Sequence, residues 1–289
     1  MAALVECEGV PRDLGRDQGA ACAEAIRAAA GAPGLRRIAD RLGRFDRASG
    51  RWLRDVQRHF PHQGEWTEGL ARAAGVPGPA LVRAMRAALR SDASAIAVAV
   101  VAQGGVQVAR TATQGSVLRR MRPEGRFISL EIGPAVLTAP AIGLNEAGLA
   151  VAVVAGIEAA GACAASAALL VRDCLERFDS VESALAWCLG RPAASDASIL
   201  LSDPTGEIAG VEFRAGGRRV ARPDGGVLLL AGAGCDVATL EKSLAAAPDR
   251  DDFEAVLAAV LNERAVPATR IHPAERSLRA GSDAPVLTP

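Results

Sequence analysis

Residues able to do chemistry gather around one boundary in this chain. The stretch LRSDASAIAVAV at 89–100 passes from an arginine-bearing helical pattern through Ser91, Asp92, Ala93 and Ser94 into an apolar run suited to a buried strand. Ser94 is a nucleophile by type, and Asp92 stands close enough in sequence to take its proton or, alternatively, to cap the helix end. A serine at a strand start also commonly bonds its own backbone. Arg110 ends the segment VQVAR, where a planar guanidinium can clamp a carboxylate through two parallel hydrogen bonds or hold a structural ion pair.

Other reactive types are less well placed. His59, His62 and Glu65 fall in FPHQGEW, which reads as a solvated loop inside a helical region, so acid–base or metal chemistry is not expected there. The cysteines at 7, 22, 163, 174, 188 and 235 show neither CxxC pairing nor zinc spacing, and no metal or cofactor is expected. Cys174 and Cys188 sit inside apolar helical patterns, as buried thiols do.

Positioning these groups falls to a core of small aliphatic side chains. The chain has 289 residues, 50% of them apolar, with six Phe, three Trp and no Tyr, so packing must be close and aromatic stacking of a ligand is not expected. Thirty-three basic residues balance 33 acidic ones, and all the basic residues except Lys242 are Arg. That balance, without a basic stripe, argues against nucleic acid and anionic membrane as partners. With no signal-like opening segment and no charge-free run of spanning length, the cytoplasm is the expected compartment.

Residues 1–92 read as helical. Asp13–Ala30 and the Trp52, Val56, Phe60 series have helical spacing, and 64–90 reads as two helices broken by GVPGP. Short strands follow. AIAVAVVA and VQVAR flank QGG, IGL and LAVAVV flank NEAG, and SILLS and EIAGVEF flank DPTG. Helices are expected over Ala164–Phe178 and Val181–Leu189, the second capped by Ser180, with further helices over Val237–Ala247 and Phe253–Leu261 and a terminal hairpin. Helices grouped between antiparallel hairpins argue for an α+β fold with two sheets covered by helices, residues 93–289 forming the core and the whole chain one domain.

The segments GVPRDLGRDQGAACAEAIR, EWTEGLARAAGVPGPALV, RPEGRFISLEIG, GLNEAGLAV and LLSDPTGEIAGVEF, in that order, resemble the acyl-coenzyme A:6-aminopenicillanate (isopenicillin-N) acyltransferase family. The resemblance implies the N-terminal-nucleophile fold, a four-layer αββα sandwich. It further implies that residues 1–92 match a helical pro-region and that self-cleavage would precede a Cys whose freed amine serves its own thiol. Here that position is Ala93, so the chain is expected to stay whole. Relatives carry Arg-Asn-x-Asp where this chain has Arg110, Thr111, Ala112, Thr113, and an Asn-bearing strand end where it has AGAGC at 231–235.

The resemblance thus places Ser94, Asp92 and Arg110 as candidate catalytic residues, and Ala93, Thr111, Thr113, Ala233 and Gly234 as pocket residues. The function it implies is chemistry on a small amide, thioester or peptide-like metabolite of secondary metabolism without the thiol mechanism, by acyl transfer through Ser94 or by cyclisation or proton transfer. The alternatives are a pseudoenzyme that binds a metabolite or a protein partner, and an acyltransferase disabled by Cys-to-Ala replacement. A small molecule is the expected partner, with a second copy of the chain as another.

Overall fold

The computed structural model describes residues 4–31, 47–91, 93–113, 115–159, 163–214, 217–261, 268–280 and 287–289. The chain opens with β1 (Leu4–Gly9), then helices α1 (Pro11–Ala21), α2 (Ala23–Ala30), α3 (Arg47–His59), α4 (Pro61–Ala74) and α5 (Gly78–Ser91). Strands β2 (Ile96–Ala102), β3 (Gly105–Thr111), β4 (Ser116–Pro123), β5 (Ser129–Pro134), β6 (Ile142–Asn145) and β7 (Ala150–Ala159) follow. After a 3₁₀ turn at Ala167–Leu169 come α6 (Leu170–Arg177), α7 (Val181–Gly190), β8 (Ser195–Ser202), β9 (Ile208–Arg214), β10 (Gly217–Ala221) and β11 (Val227–Ala231). The last elements are α8 (Val237–Ala245), α9 (Phe253–Leu261), β12 (Ala268–His272) and β13 (Ser277–Ala280).

Among the described residues the strands form two sheets, ordered β1-β4-β5-β6-β7-β8-β9-β10 and β11-β2-β3-β12-β13. Every pairing is antiparallel except β1 with β4. Alternation along β2 shows how the layers stack. Ala95, Ala97 and Ala99 belong to the apolar cluster between the sheets, whereas Ile96, Val98 and Val100 pack with Leu240, Leu244, Phe253 and Val256 of α8 and α9. A third cluster joins the larger sheet to the remaining helices, with Leu14, Trp52, Phe60, Trp66 and Leu70 against Val151, Val153, Ile199 and Val211. The result is the αββα order expected. Alanines at 97, 99, 150 and 152 bring the sheets close, which suits a core with so few aromatic rings.

Three local readings are corrected. The first third is not wholly helical, because LVECEG forms β1 beside β4, with Val5 and Cys7 buried. FPHQGEW is no loop. Pro61 takes the first turn of α4, where its missing N–H is harmless, and Trp66 is fully buried. Ser180 precedes α7 but its hydroxyl bonds Ser183, and the Val181 N–H is instead received by Asp203 at 2.9 Å.

Charge is buried beneath the larger sheet. Glu131 of β5 receives both terminal nitrogens of Arg172, lies 3.6 Å from Arg119 and accepts the Ser129 hydroxyl at 2.8 Å. Arg119, Glu131 and Arg172 are fully buried, and Arg172 also stacks 4.4 Å from the Trp66 ring. The buried loop after β5 owes its polar satisfaction to the same layer: Gln18 donates to Ala135 and Leu137 carbonyls, and Arg119 to Leu137.

Five of the six thiols are buried, and Cys235 alone is half-exposed. Burial pushes the Cys7 thiol up to about 12 and raises Cys22, while Cys174 is raised by its 3.6 Å contact with Cys188 and by burial. Thiolate is the reactive form. A chromogenic disulfide reagent should therefore titrate one thiol rapidly in the folded protein and the other five only after denaturation. Two or more fast equivalents would contradict this burial.

Candidate functional site

The boundary singled out in the sequence lies where β2 begins, and it is clamped by the strand end after β11. Gly232 N–H donates to the Ala95 carbonyl at 2.8 Å and Gly234 N–H to the Ala93 carbonyl at 2.7 Å. A side chain at 232 would bring its Cβ 2.3 Å from the Ala93 oxygen, so glycine is required by the approach of the two backbones. Read as sequence, AGAGC showed only missing donors. In space it is a seat for the junction. Cys235 belongs to this seat, its Sγ 3.6 Å from the Ala95 carbonyl, a placement that the cysteine spacing gave no sign of.

Arg110 is fully buried at the end of β3 and faces the larger sheet. Its Nε donates to the Val153 carbonyl of β7 at 2.7 Å, and one terminal nitrogen donates to the Thr111 carbonyl and to the Thr113 hydroxyl, at 2.7 and 2.9 Å. Burial pushes its pKa down to about 9, which leaves it protonated at neutral pH. Two residues along β7, the Ala155 carbonyl accepts the Ala233 N–H at 3.0 Å. Arg110 and Ala233 thus tie both ends of the smaller sheet's junction to one strand of the larger. Thr111 completes the strand start by accepting the Ile96 N–H at 3.0 Å.

Ser94 lies in the turn before β2, exposed, and its hydroxyl makes no hydrogen bond among the described residues. Asp92 lies outside the described residues. The structure therefore gathers Ala93, Arg110, Thr111, Thr113, Ala233 and Gly234 about the junction, with Ser94 on its solvent side. His62 is elsewhere, in the helical layer, 2.8 Å from the buried carboxylate of Asp173, which also accepts the Trp187 indole at 3.0 Å. Among the described residues no group of three His, Cys, Asp or Glu side chains is arranged to hold a metal ion, and no helix is long and apolar enough to cross a membrane.

A groove of about 930 Å³ leads away from the junction between the free margins of the two sheets. Ala197, Ala231 and Ala233 line its inner end. Phe213, Val220 and Leu228 line its walls, and Arg219, Arg222 and Arg250 lie along its rim. This is the size of a small-molecule site. Of the pocket residues expected from the sequence, only Ala233 lines it.

No family model matches the chain, and no curated protein sequence matches it. Among solved structures it is similar to penicillin V acylase from Agrobacterium tumefaciens, with 15% identity, a TM-score of 0.46 and coverage of 66% of this chain and 84% of that one. It is also similar to a Caenorhabditis elegans N-acylethanolamine-hydrolyzing acid amidase ortholog, at 12% identity, TM-score 0.48 and coverage of 62% and 93%. A variant of conjugated bile acid hydrolase from Clostridium perfringens gives 13%, 0.43, 66% and 91%. The αββα reading rests on the three apolar clusters and the sheet order, not on these likenesses.

Proposed function

We propose that the protein binds a small amide-bearing metabolite in the groove between its sheets and does not use a thiol mechanism. The observation that supports this reading is the seat itself. The backbone donor of Gly234, the residue after the groove-lining Ala233, is already spent on the protein's own Ala93 carbonyl, and the Arg110 guanidinium is spent on main-chain carbonyls and the Thr113 hydroxyl. Groups so engaged hold a pocket's shape but are not free to receive charge developing on a substrate oxygen. The isopenicillin-N acyltransferase resemblance and a role in secondary metabolism belong to this proposal.

One observation favours a second reading. The carbonyl polarised by Gly234 is that of the Ala93–Ser94 bond. Attack of the Ser94 hydroxyl on that carbon would form an ester and release the Ser94 amine, and water would then leave an Ala93 carboxylate and a new N-terminal serine. Intact mass under denaturing conditions separates the two. A single species at 29.6 kDa is the expected result. Two fragments divided between Ala93 and Ser94 would establish the second reading and overturn the uncleaved junction, while binding in the groove is tested by its own measurement.

A further inference from the structure

β11 is an edge strand, and its backbone alternates in what it bonds. Gly226 and Gly232, flanking it, bond Val101 and Ala95 of the β2 side, which assigns the even positions Leu228 and Leu230 to the same ladder. The odd positions turn their polar groups the other way. Val227 exchanges both bonds with Asp224, at 3.1 and 2.9 Å, and Ala233 donates to Ala155. Between these two satisfied positions lie Leu229 and Ala231. Both line the groove, both are half-exposed, and among the described residues neither has a partner on this side. Two N–H groups and two carbonyls, about 7 Å apart along the strand, therefore face the groove.

The geometry points to strand addition: an extended peptide segment binds in the groove by pairing with the Leu229 and Ala231 backbone, its chain directed toward the Ala93–Ser94 junction. The lining matches a pleated occupant. Peptide side chains opposite Leu229 and Ala231 lie on the α8 side, where Val237 and Leu244 line the groove, while the residue between them faces Phe213 and Ala221. An acyl chain would fill the apolar walls but leave four backbone groups without a peptide partner, so the peptide is favoured. The inference deepens the binding function proposed above and rests on it for the direction of the ligand.

The test uses the full chain and an acetylated, amidated hexapeptide of alternating Thr and Val. Amide hydrogen exchange is expected to slow by at least about tenfold at Leu229 and Ala231 when the peptide is added, with Leu228 and Leu230 already protected without it. The same hexapeptide N-methylated at every peptide nitrogen should bind at least about tenfold more weakly. Leu229→Pro removes one groove donor and no bond to β2, and should lower affinity by a similar factor at an unchanged unfolding midpoint. The comparison of peptides on the unaltered protein stands even if that variant misfolds. The proposal is overturned if exchange at Leu229 and Ala231 is unmoved by the peptide, or if the N-methylated peptide or dodecanoate binds as tightly. It is likewise overturned if the two amides become protected with rising protein concentration alone, which would assign the edge to a second copy of this chain. Because the readout is binding, a chain found cleaved at Ala93 refutes the uncleaved reading without touching this one.

Discussion

Gly15→Ala should destabilise the protein by about 3 kcal/mol or more, the upper end of what overpacking costs. A Cβ at 15 would stand 2.1 Å from the Trp66 carbonyl and 2.9 Å from the Leu70 nitrogen, while one at Gly69 would stand 2.1 Å from the Arg12 carbonyl. These are backbone atoms of α1 and α4, so no rotamer change relieves the clash, and the two helices must part. Parting them also strains the Trp66 indole bond to Gln18, 3.1 Å long, and through Gln18 the buried loop after β5. Gly190→Ala is the control. Nothing lies within 4 Å of its Cβ, and the change should stay within about 0.5 kcal/mol. Urea unfolding followed by tryptophan fluorescence reads both. Equal midpoints for the two variants would show that α1 and α4 are not packed this closely.

Glu131→Gln is expected to cost about 3–5 kcal/mol, because it removes the anion that the buried guanidinium groups of Arg119 and Arg172 share and leaves Arg172 only the more distant Glu176, at 3.7 Å. Its shape is conserved, so the loss isolates charge from packing. Replacing Glu131, Arg119 and Arg172 by Met together with Glu176, which lies 3.7 Å from Arg172, by Gln should recover much of that loss, since no member of this buried network is then left as an unpaired ion. A Glu131→Gln protein within about 1 kcal/mol of the parent would mean that water reaches these guanidiniums.

Much of the architecture was legible because it is written in local periodicity. The alternating Ala and Ile/Val of 95–100, the QGG turn after Ala102 and the NEAG turn each declare a strand or hairpin within a few residues. What sequence concealed depends on distant partners. β1 is six residues with two exposed glutamates, and its identity as a strand comes from β4. His62 reads as a loop residue only until α4 is packed on the rest of the helical layer.

The candidate site divides the same way. Ala93, Thr111, Thr113 and Gly234 lie about the junction, but the direction of the Arg110 side chain was not readable. Its partner, the Val153 carbonyl, lies on a strand of the other sheet. The open edge of β11 left no mark either, since any apolar run has the same backbone. Only the neighbours show which groups stay unpaired.

The parallel docking of β1 carries a consequence for how the chain reaches its native state. Glu6 and Arg120, which bond across β1 and β4, are 114 residues apart. During synthesis the first strand must therefore wait, its partner still unmade, for several seconds at ordinary elongation rates. Closing so long a loop is entropically costly and slow. The docking of β1 is thus a slow step in completing the larger sheet, and refolding should show a late phase that removal of residues 4–9 abolishes.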